Sequence, residues 1–384
     1  MKILHTADWH LGKYLNNVSL LDDQRFILEQ LLDIIREEKP DVMLLAGDIY
    51  DRSVPSGEAV SLFDEIIHAI VFDKEVPVIA ISGNHDSPER THLYSGLLQK
   101  EGLYITGRIQ WPVKPVVLKD EHGPVYFYPV PYTEPELLRH ITGNDDIRSH
   151  DITQKTIIEH ILENHPEGER SVFVGHAFIA GGESSDSERV LSVGGAETVN
   201  TNYFEPFSYT ALGHLHRPQQ FLGGNIQYSG SPLKYSFSEA GHSKQVTMVN
   251  IDGFGMVTTQ KISLEPRKDL LKVEGIIEEG AFRLTGDIEP QKEDFLEVHL
   301  HNEEQVFNAM SIVQKVYPNT LKLRWPERDF DDSDKQFSSE NLDELNSLEL
   351  FEKFYRHFEG RELDEQYESV INEAIKQAQD EENS

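Results

Sequence analysis

Val42-Met43-Leu44-Leu45-Ala46-Gly47-Asp48-Ile49-Tyr50-Asp51 (VMLLAGDIYD, residues 42–51) is five unbroken apolar residues that end on a Gly-Asp-x-x-Asp turn. A short apolar run without alternation reads as a strand buried on both faces, with its polar end where the chain leaves the sheet. Upstream, Asp22–Lys39 sets Phe26, Ile27, Leu31, Ile34 and Ile35 on one side of a helix, and Lys2–Leu4 reads as the strand before it. Downstream, Ala59, Leu62, Phe63, Ile66, Ile67 and Ile70 recur at helical spacing, and Val76–Ile81 is the next strand. Strand, helix, strand, helix, strand in units of this size predicts an α/β architecture.

Further along, Val113–Leu118, Val125–Val130, Ser171–Val174 and Tyr209–Leu212 read as strands and Thr153–Glu163 as a helix. Gly223–Pro232, rich in Gly, Asn and Ser, suggests turns. The expected organisation is a first domain over 1–266 and a small α/β domain over 267–326. In the latter, Leu296–Leu300, the amphipathic stretch Glu303–Lys315 and Leu321–Trp325 give strand, helix and strand. An acidic, Ser-rich linker over 327–342 then leads to a helical hairpin over 343–384. One helix of that hairpin carries Phe351, Phe354, Tyr355 and Phe358, the other Leu363, Tyr367, Val370, Ile371, Ala374 and Ala378.

With 384 residues and no cysteine, the chain has no disulfide or thiolate metal site, so any metal must be held by His, carboxylate or amide groups. No apolar run approaches the roughly 20 residues of a membrane helix. The first ten residues are too polar for a signal peptide, and a cytoplasmic protein, nucleoid-associated when bound to DNA, is expected. The net charge of −32 argues against a generally basic nucleic-acid-binding surface. Much of the excess is local, because residues 326–384 carry 19 acids against 6 bases, a net of −13. Divalent cations in an acidic site would supply positive charge that a phosphate needs.

Five polar clusters end the apolar runs: Asp8-Trp9-His10, Gly47-Asp48-Ile49-Tyr50-Asp51, Gly83-Asn84-His85-Asp86, Gly175-His176 and Gly213-His214-Leu215-His216. Ligands of α/β sheets bind in the loops beyond the carboxyl ends of strands, so one shared site is expected. Each cluster alone is ordinary turn chemistry. Together they offer the carboxylates and imidazoles that a pair of divalent ions requires for phosphoryl displacement. His5 reads as a core or supporting group, and His92, His122 and His299 have no partner pattern.

The ordered set from Asp8 to His216 resembles the calcineurin-like metallophosphoesterase signature. That resemblance implies a sandwich of two β-sheets flanked by helices. It also implies a ligand set in which Asp48 bridges two ions, Asp8, His10 and His216 hold one, and Asn84, His176 and His214 hold the other. His85 would contact the phosphate and protonate the leaving oxygen, with Asp51 as its orienting partner. Manganese is the ion implied, while mixed N/O ligation leaves iron, zinc and cobalt open.

The flanking stretches Thr6–Lys13, Asp51–Ser56 and Tyr228–Pro232 are similar to the SbcD family of bacterial nuclease subunits, with Asp51 where archaeal and eukaryotic relatives carry His. This resemblance implies a small α/β capping domain, terminal helices, and a manganese-dependent 3′-to-5′ exonuclease on duplex ends that also cuts single strands and hairpins. It implies a homodimer bound to two copies of the SMC-like ATPase SbcC, and the apolar stripes of the terminal hairpin, set behind an acidic linker, make that hairpin the expected docking element. Lys13, Tyr14, Arg52 and Arg90 flank the metal motifs and are the candidate DNA contacts. Leu62, Phe63, Ile66, Tyr94, Leu97 and Leu98 are the expected homodimer surface. The alternatives are a small-molecule phosphodiesterase or nucleotidase of the same chemistry, and a DNA-end tether that scaffolds the ATPase.

Overall fold

The computed structural model describes residues 1–188, 198–302 and 306–326, together with positions 348, 351, 352, 355, 356, 371, 372 and 375. Met1–Pro326 form one compact unit and Glu327–Ser384 a second.

Two six-stranded sheets build the larger part of the first unit. One has the order Val257–Ser263, Gln245–Ile251, Lys2–Thr6, Val42–Ala46, Val78–Ile81, Leu103–Thr106. Its last four strands run parallel, and the first two form an antiparallel hairpin against Lys2–Thr6. The other has the order Gln219–Phe221, Ile226–Tyr228, Tyr209–Gly213, Arg170–His176, Gly123–Val130, Val116–Asp120, with a parallel centre and antiparallel edges.

The unbroken run at 42–46 has its explanation in the layers. Val42, Leu44 and Ala46 point between the sheets, where they meet Phe127, Val172, Val174 and Ala211 of the opposite sheet. Met43 and Leu45 point the other way, into a core closed by the helices Leu21–Glu38 and Gly57–His68. A strand covered on both faces has no solvent side on which polar residues would recur. On the outer face of the second sheet, Tyr128, Phe173 and Leu212 pack with Ile157, Ile158 and Ile161 of helix His150–Asn164. Two sheets flanked by helices is therefore the observed architecture, as the sequence implied.

A third sheet, in the order Ala281–Leu284, Leu270–Glu278, Phe295–Leu300, Thr320–Arg324, carries helix Ala309–Gln314 on one face, with Ala309 and Val313 over Leu296 and Val298. Leu270 and Phe295, on its other face, join the core of the first sheet. The sequence reading lacked the hairpin Gln245–Ser263 and the strand Leu270–Glu278. Val257–Ser263 lies at a sheet edge, and its Thr, Gln and Lys side chains give little apolar signal.

The expected dimer surface needs correction, because Leu62 and Ile66 are fully buried in the unit's own core and Phe63 and Leu98 pack against it. Of that set Tyr94 and Leu97 are exposed. In the second unit the described positions are helical, and the rings of Phe351 and Tyr355 stack with centroids 6.3 Å apart. The linker 327–342 and most of the hairpin 343–384, including Phe354, Phe358, Leu363, Tyr367, Val370, Ala374 and Ala378, lie outside the described residues. Among the described residues no helix is long and apolar enough to cross a membrane.

Candidate metal centre

Five loops that follow strands of the two facing sheets converge on one buried cluster. Asp8 and His10 follow Lys2–Thr6, Asp48 follows Val42–Ala46, and Asn84 follows Val78–Ile81. His176 ends its strand, and His214 and His216 follow Tyr209–Gly213. All seven expected ligands are thus brought together.

The centre of the cluster is Asp48 Oδ2, which lies 3.5 Å from His10 Nε2 on one side and 3.5 Å from His176 Nε2 on the other. On the His10 side, His10 Nε2 and His216 Nε2 face each other at 3.0 Å. On the His176 side, Asn84 Oδ1 lies 2.9 Å from His176 Nε2 and 3.1 Å from His214 Nδ1. Asp8, expected beside His10 and His216, makes its close contacts with the other group. Its Oδ1 accepts the His214 backbone N–H at 2.9 Å and lies 3.8 Å from His176 Nδ1, while its Oδ2 is buried without a partner.

The outer atoms are held so that the inner ones stay free. His85 N–H donates to Asp48 Oδ1 at 2.9 Å, which leaves Oδ2 inward. His176 Nδ1 donates to the Ala46 carbonyl at 3.0 Å, which turns Nε2 inward as the nitrogen a cation would take. Asp86, which the sequence reading placed only in a motif, is the clamp between two loops. Its carboxylate accepts backbone N–H groups of Ile49, Tyr50 and Gly83 at 3.0, 2.9 and 2.9 Å, fixing Asp48 and Asn84 relative to each other.

This packing demands unusual backbone. Asp8, His10, Asp48 and His214 have φ of +53°, +45°, +48° and +107°. For a residue with a Cβ such conformations cost about 1–3 kcal/mol each, and they persist where the surroundings over-determine them. Gly47, at φ +89°, could carry no side chain, since a Cβ there would sit 2.2 Å from His176 Nδ1. At Gly83 a Cβ would sit 2.2 Å from Asp48 Oδ1.

The residues fit a pair of cations. Asp8 and Asp48 are fully or almost fully buried side by side. Burial pushes the Asp8 carboxyl up to about 7 against the pull of His176 and His216. In Asp48 burial is outweighed by His176 and His10, and the carboxyl is held well below the usual range. Two buried acids with inward lone pairs, and imidazole nitrogens 3.0 Å apart, form a donor set that a cation satisfies. Two nitrogens each about 2.1 Å from one metal, at roughly a right angle, would be separated by about that distance. Ligand atoms of Asp8, Asp48 and His176 lie within 4.8 Å of one another, as do those of His10, Asp51 and His85.

His85 lies at the edge of the cluster, its ring edge-on to His10 with centroids 4.7 Å apart. The expected pairing with Asp51 takes a different form. His85 Nδ1 donates to the Asp51 backbone carbonyl at 2.8 Å, whereas the Asp51 carboxylate pairs with Lys13 Nζ at 2.8 Å and lies 3.6 Å from Arg52. Of the candidate DNA contacts, Tyr14, Arg52 and Arg90 are exposed, and Lys13 is mostly buried against Asp51. His5 takes the core role, with Nδ1 2.9 Å from the Tyr209 hydroxyl, and burial lowers its pKa to about 3.

Beside the centre the sequence reading missed a basic cleft of about 330 Å³. Lys13 and Tyr14 line one side, and Lys272, Lys322 and Arg324 of the third sheet line the other. Strand pairing sets Lys272 and Lys322 on either side of Glu297. That carboxylate is buried and takes Lys322 at 3.0 Å and Arg324 at 3.1 Å, so cations exceed acids around it. The signal was the alternation Leu321-Lys322-Leu323-Arg324, legible as one charged face but not as facing the metal loops.

Residues 1–218 match the calcineurin-like phosphoesterase family, and residues 266–358 match the type 5 capsule protein repressor C-terminal domain. The chain is 35% identical over 365 residues, 94% of each sequence, to the SbcD component of the nuclease SbcCD from Staphylococcus saprophyticus. Among solved structures, TT1561 of Thermus thermophilus is 12% identical with a TM-score of 0.39, covering 68% of this chain and 98% of its own. A dimetal phosphatase from Danio rerio is 11% identical with a TM-score of 0.38, covering 69% of this chain and 98% of its own.

Proposed function

The chain belongs to the calcineurin-like phosphoesterases and, among them, to the SbcD family of nucleases, and from that premise we propose that it is a manganese-dependent DNA nuclease. It acts as a 3′-to-5′ exonuclease on duplex ends and as an endonuclease on single strands and hairpins. It works in the cytoplasm as a homodimer with two copies of the ATPase SbcC. The observation that carries the hydrolytic reading is the position of Asp48 Oδ2, equidistant at 3.5 Å from His10 Nε2 and His176 Nε2.

In this reading Asp8, His10, His216 and Asp48 would hold one ion, and Asn84, His176, His214 and Asp48 would hold the other. Bound there, the ions would polarise the phosphoryl group and activate the attacking water. The chain's own residues do the rest. His85, with Nδ1–H committed to the Asp51 carbonyl, presents Nε2 toward the cluster and delivers a proton from it to the leaving oxygen. The hydrogen bond is to main chain, and the Asp51 carboxylate is taken up by Lys13.

A long polyanionic substrate is favoured over a small diester by the cleft of Lys13, Tyr14, Lys272, Lys322 and Arg324, which shares Ser187 with the wall of the metal centre. A strand leaving the metals meets cations there, in a chain whose net charge is otherwise −32. The terminal hairpin over 343–384 is the docking element for SbcC.

The test is manganese-dependent cleavage of hairpin and blunt duplex DNA by the full chain, with and without SbcC and ATP. Cleavage of both is expected. Hydrolysis of bis-nitrophenyl phosphate without cleavage of any DNA would refute the nuclease reading. Deleting residues 338–384 should preserve hydrolysis of the small diester while abolishing co-purification with SbcC.

A further inference from the structure

We propose that Glu239, locked by Lys244, is a positioning residue that fixes the tautomer and ring plane of His216 for one of the two ions. The inference rests on the dinuclear reading above and assigns a role to two residues in the loop Ser238-Glu239-Ala240-Gly241-His242-Ser243-Lys244, which carries no recognisable motif.

Glu239 is completely buried and Lys244 nearly so. Glu239 Oε2 takes Lys244 Nζ at 2.5 Å. Glu239 Oε1 lies 3.2 Å from His216 Nδ1 and accepts the Ser187 hydroxyl. Ser187 Oγ itself lies 2.8 Å from His216 Nδ1. Hydrogen accounting then settles the ring. A serine has one hydroxyl hydrogen, and that of Ser187 is spent on the Glu239 carboxylate, so toward His216 its oxygen can only accept. The carboxylate also can only accept. Both neighbours of Nδ1 are therefore acceptors, and Nδ1 must carry the proton. Nε2 is then the nitrogen turned inward, 3.0 Å from His10 Nε2, where a cation would sit.

The main chain of His216 is pinned by the same network. Its N–H donates to Glu188 Oε1 at 2.7 Å, and its carbonyl accepts from Lys244 Nζ at 2.9 Å. Lys244 Nζ also donates to Ser231 Oγ at 2.8 Å, so all three of its hydrogens are placed. The comparison with His176 is informative, since its Nδ1 is supported by the neutral carbonyl of Ala46. A carboxylate behind a ligating imidazole raises its basicity more than a carbonyl does, so the two halves of the centre are built to hold their ions unequally.

The test uses the full chain, Glu239→Ala and the double variant Glu239→Gln with Lys244→Met. The single change leaves the Lys244 ammonium buried without its partner and can simply unfold the protein. The double variant keeps the shape, retains an amide oxygen as acceptor and removes both buried charges. Nitrogen-15 NMR of metal-free wild type should show His216 protonated on Nδ1. Manganese titration of the double variant should show one equivalent weakened about tenfold or more and the other unchanged. An unprotonated His216 Nδ1 in the wild type, or two equivalents bound by the double variant as tightly as by the wild type, overturns the proposal. The tautomer is read without metal or substrate, so this result stands apart from the DNA-cleavage assay that tests the functional reading.

Discussion

His85 and Asp51 separate two accounts of proton delivery, and their variants should differ by orders of magnitude. A carboxylate that orients His85 would make Asp51→Ala nearly as damaging as His85→Ala. The structure instead gives His85 Nδ1 the backbone carbonyl of residue 51, which alanine retains. What Asp51→Ala removes is the ion pair with Lys13 at 2.8 Å, whose side chains are 16% and 12% exposed and whose lysine can swing toward solvent, together with a carboxylate oxygen 3.9 Å from His10 Nδ1. With the lysine turned to solvent the loss falls on stability more than on turnover, and kcat should drop about tenfold or less, roughly 1.4 kcal/mol in the barrier. Removing the proton donor costs more: His85→Ala should lower kcat by about 10²–10⁴-fold, or roughly 3–5 kcal/mol in the barrier. The assay is manganese-dependent turnover of bis-nitrophenyl phosphate, with metal content measured on the same samples. Both variants should keep both ions. If Asp51→Ala with two ions bound lost as much turnover as His85→Ala, the backbone account of His85 orientation would be wrong.

Asp48→Ala should weaken binding of both manganese ions, because its Oδ2 lies between the two groups of ligands, whereas Asn84→Ala should weaken one. Calorimetric titration checks this, and unaltered two-ion affinity in the Asp48 variant would remove its bridging role. Gly47→Ala puts a Cβ 2.2 Å from His176 Nδ1 at φ +89°, and should destabilise the fold by about 3 kcal/mol or more and lower metal affinity. Thermal melts with metal analysis read both effects, and a wild-type melt would contradict the geometry. Replacing Lys322 and Arg324 together by alanine should leave small-diester hydrolysis unchanged, weaken DNA binding and flatten its salt dependence by about two phosphate contacts. A salt slope identical to wild type would exclude the cleft from the DNA path.

Much of the centre was legible one position at a time. Each ligand sits at the carboxyl end of an apolar run, and in four of the five clusters a Gly comes before the polar group. The glycines mark loops folded against one another so tightly that, at Gly47 and Gly83, a methyl group does not fit. The hairpin Gln245–Ser263 was harder to see, since its outer strand buries little apolar surface and so leaves no periodic signal. Leu62 and Ile66 illustrate the reverse problem. Helical spacing showed that they share a face, and only the packing showed that this face meets the unit's own sheet.

The sequence by itself determined the alternation of strands and helices, the loops that carry the chemistry and the residue types at the metal centre. These are local properties, written in hydrophobic period and in the polar residues that end each run. Tertiary structure alone decided which atom of Asp51 meets His85, that Asp86 ties two loops together, and that Glu239 and Lys244 stand behind His216. The Asp86–Ile49, His85–Asp51 and Glu239–His216 contacts join residues 37, 34 and 23 positions apart, or reach from one oxygen of a residue and not another. A hydrogen bond depends on tenths of an ångström and on the direction of a lone pair, and those are fixed only when the two sheets close on each other.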